Sequence, residues 1–222
     1  MDEILLIDKP ADISSFGVVA KVRHHLSDIA GHKVKVGHTG TLDPFATGLL
    51  ILLTGKMTKK SNDFLKLDKV YEATLKLGYT STTGDPEGEI AEYERADKQF
   101  LGVNPTILKN TLNSFIGEIS QKVPAYSAVK INGQRAYKMA RAGKDFDTPT
   151  RKITIYSIEI LEYNYPELKI RTHVSSGTYI RTLAEDIGKK LGTGAYLTAL
   201  RRTKIADYDV KAAKTLEDFL EV

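Results

Sequence analysis

An α+β fold is predicted for this chain: a mixed, mostly antiparallel sheet flanked by helices. Three observations point there. Tyr71 to Gly78 alternates, with Tyr71, Ala73, Leu75 and Leu77 on one face and Glu72, Thr74 and Lys76 on the other, the period of a half-buried strand. Phe16, Val19, Val22, Leu26 and Ile29 recur at helical spacing. Strands and helices then follow one another without a βαβ rhythm.

The elements come in order. Ile4 to Ile7 is a short buried strand that Lys9-Pro10 ends. Ser14 or Ser15 caps the first helix, which runs to Gly31. A loop rich in Gly and Thr leads to an apolar run, Leu49 to Leu53, predicted as a central strand. STTGDPEGE, after the alternating strand, is a polar turn cluster. Asn104-Pro105 opens a helix with Leu108, Leu112, Phe115 and Ile116 as its apolar face. Pro124 to Thr150 has little periodicity beyond a helical piece around Ala136 to Arg141, and such a segment is usually functional or mobile. Ile153 to Leu161 and Leu168 to Val174 read as two strands joined at Asn164-Tyr165-Pro166. Tyr179 to Leu191 is predicted as a helix, and Ala195 to Arg202 as a second, shorter one. There is no internal repeat and no low-complexity linker, so residues 1–222 read as one domain.

Composition excludes several chemistries. The 222 residues are 41% hydrophobic and 27% charged, an ordinary globular balance. There is no Cys, hence no disulfide, thiolate metal site or cysteine nucleophile. The acidic N-terminus is not a signal peptide, and the longest apolar run is far too short to cross a membrane. No metal is expected, because the five histidines form no ligand pair with a carboxylate at helical spacing. Gly55-Lys56 lacks the pattern of a phosphate-binding loop, and GTYIRT is not a nucleophile elbow.

The net charge is +4 and the pI about 9.0, a weak sign of a polyanionic partner. Distribution says more. Between Lys130 and Lys152 lie seven basic residues, Arg141 among them, against two acids, and Tyr126, Tyr137 and Phe146 accompany them. Basic residues interleaved with aromatics suit an RNA-contacting segment.

What remains is carboxylate chemistry. GHTGTLDPFATGLLILLTG, from Gly37 to Gly55, places a single acid, Asp43, in a tight turn of small residues. Locally, Asp43-Pro44 reads as a cap and first position of a short helix. A carboxylate can also attack a sugar carbon. A glycosidase needs a second carboxylate across the bond, and none lies near Asp43 in sequence.

Five motifs occur in order: DKPADISS, GHTGTLDPFATGLL, KVYEATLKLG, VPAYSAVKINGQRAY, and SSGTYIRTLAEDIGKKLG with ALRRTKI. Together they resemble the TruB-type tRNA pseudouridine-55 synthases over almost the whole chain. The resemblance implies a pseudouridine synthase fold with a catalytic cleft. It also implies isomerisation of one uridine in the T loop of tRNA, without cofactor, metal or consumed water. In that reaction the N1–C1′ bond breaks, the base rotates and C5 bonds to C1′. Asp43 matches the family's catalytic aspartate, which either adds covalently at C1′ or abstracts a sugar proton to give a glycal. Tyr71 matches the tyrosine that stacks on the flipped base. Arg181 matches the arginine that pairs with the aspartate. Independently, Arg181 lies in the first turn of its predicted helix, where a cation is unfavourable by about 0.3–1 kcal/mol unless a carboxylate is near.

The target base must be flipped out of the folded loop. His38 matches the histidine that fills the vacated space, Leu200 a packing residue beneath the base, and Lys9-Pro10 a support for the active-site loop. Tyr179, Lys130 and Arg141 complete the expected substrate-binding set. Asp12 stands where the family has Gly, and Asp tolerates the left-handed geometry such a turn needs. Many relatives continue into a C-terminal RNA-binding domain of the PUA type. The sequence stops at Val222, so no such domain is expected, and grip falls on the basic insertion at about 124–150. The expected setting is a cytoplasmic monomer acting on the T arm of tRNA, with no membrane and no obligate protein partner. The rival functions are a non-catalytic RNA-binding module and an N-glycosidase that releases base.

Overall fold

A computed structural model describes residues 2–94, 102–131 and 133–221. Strand β1 (Ile4–Lys9) leads to helix α1 (Ser15–Ala30), strands β2 (Val36–His38) and β3 (Thr47–Thr54), helix α2 (Ser61–Leu65) and strand β4 (Lys69–Leu77). Next come strands β5 (Tyr79–Ser81) and β6 (Ile90–Glu92), helix α3 (Pro105–Asn113), strands β7 (Gly117–Lys122), β8 (Lys130–Ile131) and β9 (Gln134–Arg135), and helix α4 (Ala136–Arg141). The chain closes with β10 (Thr150–Asn164), β11 (Glu167–Val174), helix α5 (Ile180–Leu191), β12 (Ala195–Ile205), β13 (Tyr208–Asp209), β14 (Lys214–Thr215) and helix α6 (Leu216–Leu220). The class is α+β, as predicted.

The residues divide into two compact units. The first holds residues 1–72 and 199–222, the second residues 73–198, so β4 and β12 supply residues to each. In the first unit the strand order is β14-β1-β3-β12-β4, with β2 on β3 and β13 on β12. Strand β1 pairs antiparallel with β3, and β3 pairs parallel with β12. Leu50 and Leu52 face α1, where Ile7, Val18, Val22 and Leu26 close a core cluster. Leu49, Ile51 and Leu53 face the other way, against Phe64 and Ile205. A strand buried on both faces has to be apolar at every position, which is why LLILL shows no alternation.

In the second unit β4, β11, β10 and β7 are neighbours, with β10 antiparallel to both β11 and β7. Leu75, Leu77, Leu168, Ile170 and Ile155 are fully buried. Helices α3 and α5 pack on one another, α3 against β10 and α5 against β7.

Four expectations need correction. Ala195 to Arg202 is not a helix but most of β12. Ala and Leu favour helix locally, yet the segment lies between β3 and β4 in the sheet, and Ala195, Tyr196 and Leu197 are all buried. Only Ala195 to Leu197 is buried without a break, and so short an apolar run carries no period that separates strand from helix. Asp43-Pro44 opens no helix either, since β3 starts at Thr47. The buried stripe of α1 is Ser15, Val18, Val19, Val22 and Leu26, whereas Phe16 and Ile29 are 64% and 58% exposed. Helix α3 buries Leu108, Thr111 and Leu112 but ends at Asn113, leaving Ile116 exposed. Elsewhere the local signals held. Ser14 caps α1 by accepting from Gly17 N, Gly31 ends it in the left-handed conformation, and Asn104 caps α3.

Candidate active site

Asp43 sits in the first unit, half-buried, on the loop between β2 and β3. The backbone around it is held by buried side chains. Lys9 is fully buried, and its Nζ donates to three carbonyls: Pro10 O at 2.8 Å, Ile13 O at 2.7 Å and Pro44 O at 3.0 Å. Three donors meet three acceptors, so the ammonium leaves no proton unused. Asp12 N also donates to Pro44 O, at 2.9 Å. It does so from a backbone with φ 62°, the left-handed geometry expected of that position. Ser15 Oγ donates to Leu42 O at 2.9 Å and accepts from Leu42 N at 2.8 Å.

Arg202 is 1% exposed. Its Nε donates to Leu49 O at 2.8 Å and its Nη2 to Gly40 O at 3.1 Å. Gly48 of β3 is the register partner of Arg202 on β12. A Cβ there would stand 2.3 Å from Arg202 O, and the φ of 102° also demands Gly. The result is a loop whose carbonyls before and after Asp43 are each fixed by a cation or a hydroxyl.

Charge in this neighbourhood is finely opposed. Burial pushes the Lys9 ammonium down to about 8, against the pull of Asp12 and Asp43. Burial, with Arg202 adding to it, also holds His38 below the ordinary histidine range, so its ring is neutral at pH 7. His38 ends β2, and its Nδ1 accepts from Gly40 N at 3.4 Å. Tyr71 and Leu200 each are 7% exposed, Tyr71 on the alternating β4 and Leu200 on β12. Beside Leu200, Arg201 forms a two-pronged pair with Asp8, at 3.0 and 2.7 Å.

The second unit holds Arg181, the second residue of α5 and 5% exposed. Its Nη1 donates to Thr83 O at 2.9 Å and its Nη2 to Tyr126 O at 2.8 Å. A carboxylate beside this cation is one the sequence reading did not assign to it. Asp85, itself 4% exposed, lies 3.4 Å from Arg181. Asp85 is oriented in turn by Thr83 Oγ1 and by Glu87 N. Tyr179 precedes α5 as its N-cap residue. Lys130 and Arg141 are exposed, on β8 and at the end of α4, and Arg141 lies 5.8 Å from the centre of the Tyr137 ring. Asn132, within the quoted basic motif, lies outside the described residues.

Lys9, His38, Asp43, Tyr71 and Leu200 thus fall in one unit, and Tyr179, Arg181, Lys130 and Arg141 in the other. Comparison with known families then gives a match. Residues 27–180 fit the model of the TruB family pseudouridylate synthase N-terminal domain, and residues 181–222 that of the tRNA pseudouridylate synthase B C-terminal domain.

The chain belongs to the TruB family.

Curated relatives agree with this. A tRNA pseudouridine synthase B from Phocaeicola vulgatus is 45% identical over 99% of the chain and 92% of the relative. One from Aquifex aeolicus is 46% identical over 99% of the chain and 74% of the relative. Among solved structures, a chain of a Cbf5-Nop10-Gar1 complex superposes with TM-score 0.72 at 29% identity. The match covers 98% of this TruB-family chain but only 53% of that one, so it spans about half the length of that neighbour.

Two buried groups of this TruB-family chain, Asp85 and Arg202, escaped the sequence reading, and a third, Ser15, was read only as a helix cap and not as the partner of Leu42. Each was inside a quoted motif. No local signal separates an Arg that grips a loop carbonyl from its neighbour Arg201, which pairs with Asp8. Only the pairing of β3 with β12 makes that distinction.

Proposed function

We propose that this chain isomerises uridine 55 in the T loop of tRNA to pseudouridine. The observation that carries the reading is the carboxylate of Asp43 on a loop whose flanking carbonyls are fixed by Lys9, Ser15 and Arg202. The relatives named tRNA pseudouridine synthase B support it, at 44–46% identity across the chain.

The target base leaves the loop stack, at a cost of a few kcal/mol. His38, neutral, fills the gap it leaves, and the base stacks on Tyr71 above Leu200. Asp43 acts at the ribose while the N1–C1′ bond breaks. The base turns, C5 bonds to C1′, the proton of C5 is lost and N1 takes one up. Atoms balance without water, metal or cofactor. Arg181 serves as counterion to Asp43 in the substrate complex and keeps it ionised. Tyr179 and the basic residues Lys130 and Arg141 hold the T arm. The chain acts as a cytoplasmic monomer without an obligate protein partner.

The test is Asp43→Asn, which keeps shape and removes the nucleophile. The variant binds T-arm RNA as the wild type does and forms no pseudouridine in a mapping of the product RNA. Full activity in this variant removes Asp43 from the mechanism. Free uracil among the wild-type products makes the chain an N-glycosidase instead, and binding without any product makes it a non-catalytic module.

A further inference from the structure

In the antiparallel pair of β7 and β10, Gln121 stands directly opposite Arg151. Both side chains reach the loop that runs into α5. Gln121 is fully buried, and its amide forms a two-way pair with the main chain of Tyr179. Its Nε2 donates to Tyr179 O at 3.0 Å, and its Oε1 accepts from Tyr179 N at 2.8 Å. Arg151 lies 5.6 Å from the centre of the Tyr179 ring, and its Nη1 donates to Gly177 O at 3.5 Å.

The far end of the loop is tied as firmly. Ser175 N donates to Thr154 O at 2.8 Å, and Ser175 Oγ accepts from Thr154 N at 2.8 Å. Thr178 Oγ1 donates to Ser175 O at 2.9 Å.

Two facts set Gln121 apart from a core residue. A buried primary amide is costly unless its donors and acceptor are used, and an apolar side chain would fill the same space without that demand. The partner it has is also a specific one. Tyr179 is the N-cap residue of α5 and has no side-chain cap of its own. Fixing both polar groups of that one residue fixes where the helix begins, and Arg181 follows two residues later. The direction in which Tyr179 and Arg181 project is therefore set from β7.

We propose that Gln121 is a positioning residue for pseudouridine formation, acting through Tyr179 on the orientation of Arg181. The inference rests on the function proposed above. Because Tyr179 is one of several residues that hold the T arm, the inference predicts a loss of rate that exceeds the loss of grip.

The experiment uses two variants of the full chain, each checked for folding by its melting temperature. Gln121→Met keeps the volume and loses both hydrogen bonds. Its single-turnover rate falls about 10- to 100-fold, the effect of misplacing a reacting group by about 1 Å, while its tRNA affinity stays within about threefold of wild type. Gln121→Glu adds a pH readout. An ionised carboxylate only accepts and faces Tyr179 O with a lone pair, whereas the neutral acid both donates and accepts, as the amide does. The rate of Gln121→Glu relative to wild type therefore rises as pH falls from about 8 to about 5.5. A folded Gln121→Met variant at wild-type rate overturns the inference, and so does a rate that falls only in step with affinity. Should Gln121→Met not fold, the Glu variant decides alone, and a relative rate flat with pH overturns the inference. A wild-type protein that makes no pseudouridine in the same assay overturns the functional reading, and this inference with it.

Discussion

Ser15 grips Leu42 from both sides: its hydroxyl donates to Leu42 O at 2.9 Å and accepts from Leu42 N at 2.8 Å. Leu42 is the residue before Asp43. Ser15 is itself the first residue of α1, so the start of a rigid 16-residue helix is tied to the backbone that presents the carboxylate.

Removing that hydroxyl leaves a buried N–H and a buried C=O without this partner. Ser15→Ala is expected to lower stability by about 1–3 kcal/mol. The single-turnover rate of pseudouridine formation should fall about 10-fold or more, with tRNA affinity nearly unchanged. Chemical denaturation and rapid-quench kinetics check the two halves separately. A loss of stability with the rate intact would make the contact a support for α1 alone.

Lys9 gives a prediction in pH. Burial lowers its ammonium from 10.5 to about 8, and Lys69 is lowered to about 8 in the same way. Between pH 8 and 10.5 the unfolded chain then holds more protons on these two lysines than the folded one. Their contribution to stability therefore rises with pH across that window. Activity is expected to run the opposite way. As Lys9 loses its proton, its three carbonyl contacts weaken and the loop of Asp43 loosens, so the rate falls with a midpoint near pH 8. Lys9→Arg stays charged throughout and should lose that alkaline limb, whatever its rate at pH 7. A pH–rate profile of the two proteins, with melting curves at each pH, is the measurement. An identical alkaline limb in both assigns the fall to another group.

Among the partners of the planar fork of Arg181 are Thr83 O, Tyr126 O and Asp85. Arg181→Lys keeps the charge and cannot span them. Turnover should fall by about 100-fold with a small change in tRNA affinity. An affinity loss with turnover intact would identify Arg181 as a phosphate contact. Asp85→Ala removes one member of a buried ion pair and should lower stability by about 3–5 kcal/mol, read by denaturant unfolding. A stability change below about 1 kcal/mol would show that solvent or another acid compensates.

The segment from Lys130 to Lys152 should act through phosphate contacts. Lys138 and Arg141 are exposed, so replacing both by Ala should leave folding intact. The slope of log affinity against log salt should flatten by about 1–2 units, and binding to any RNA stem-loop should weaken alike. An unchanged slope places the RNA elsewhere on the surface.

The sequence by itself determined the class of the fold, most of its elements and the family. Those features follow from local chemistry. Alternation at Tyr71–Leu77, Ser14 and Gly31 as caps of α1, and Asp12 in a left-handed turn are each decided by a few adjacent residues. The motifs around Asp43 and Arg181 are legible for a related reason, because a tight turn and a helix start both restrict residue type at fixed spacing.

Tertiary structure alone decided the rest. Ala195 to Arg202 became a strand because it takes a place in the sheet beside β4 and, at Arg201 and Arg202, beside β3, which outweighs the helix preference of Ala and Leu. Ser15, Arg202, Asp85 and Gln121 acquired their roles from residues 27, 162, 96 and 58 positions away. A polar side chain shows its type in the sequence. Which carbonyl it meets once buried depends on how distant segments pair, and no local pattern records that.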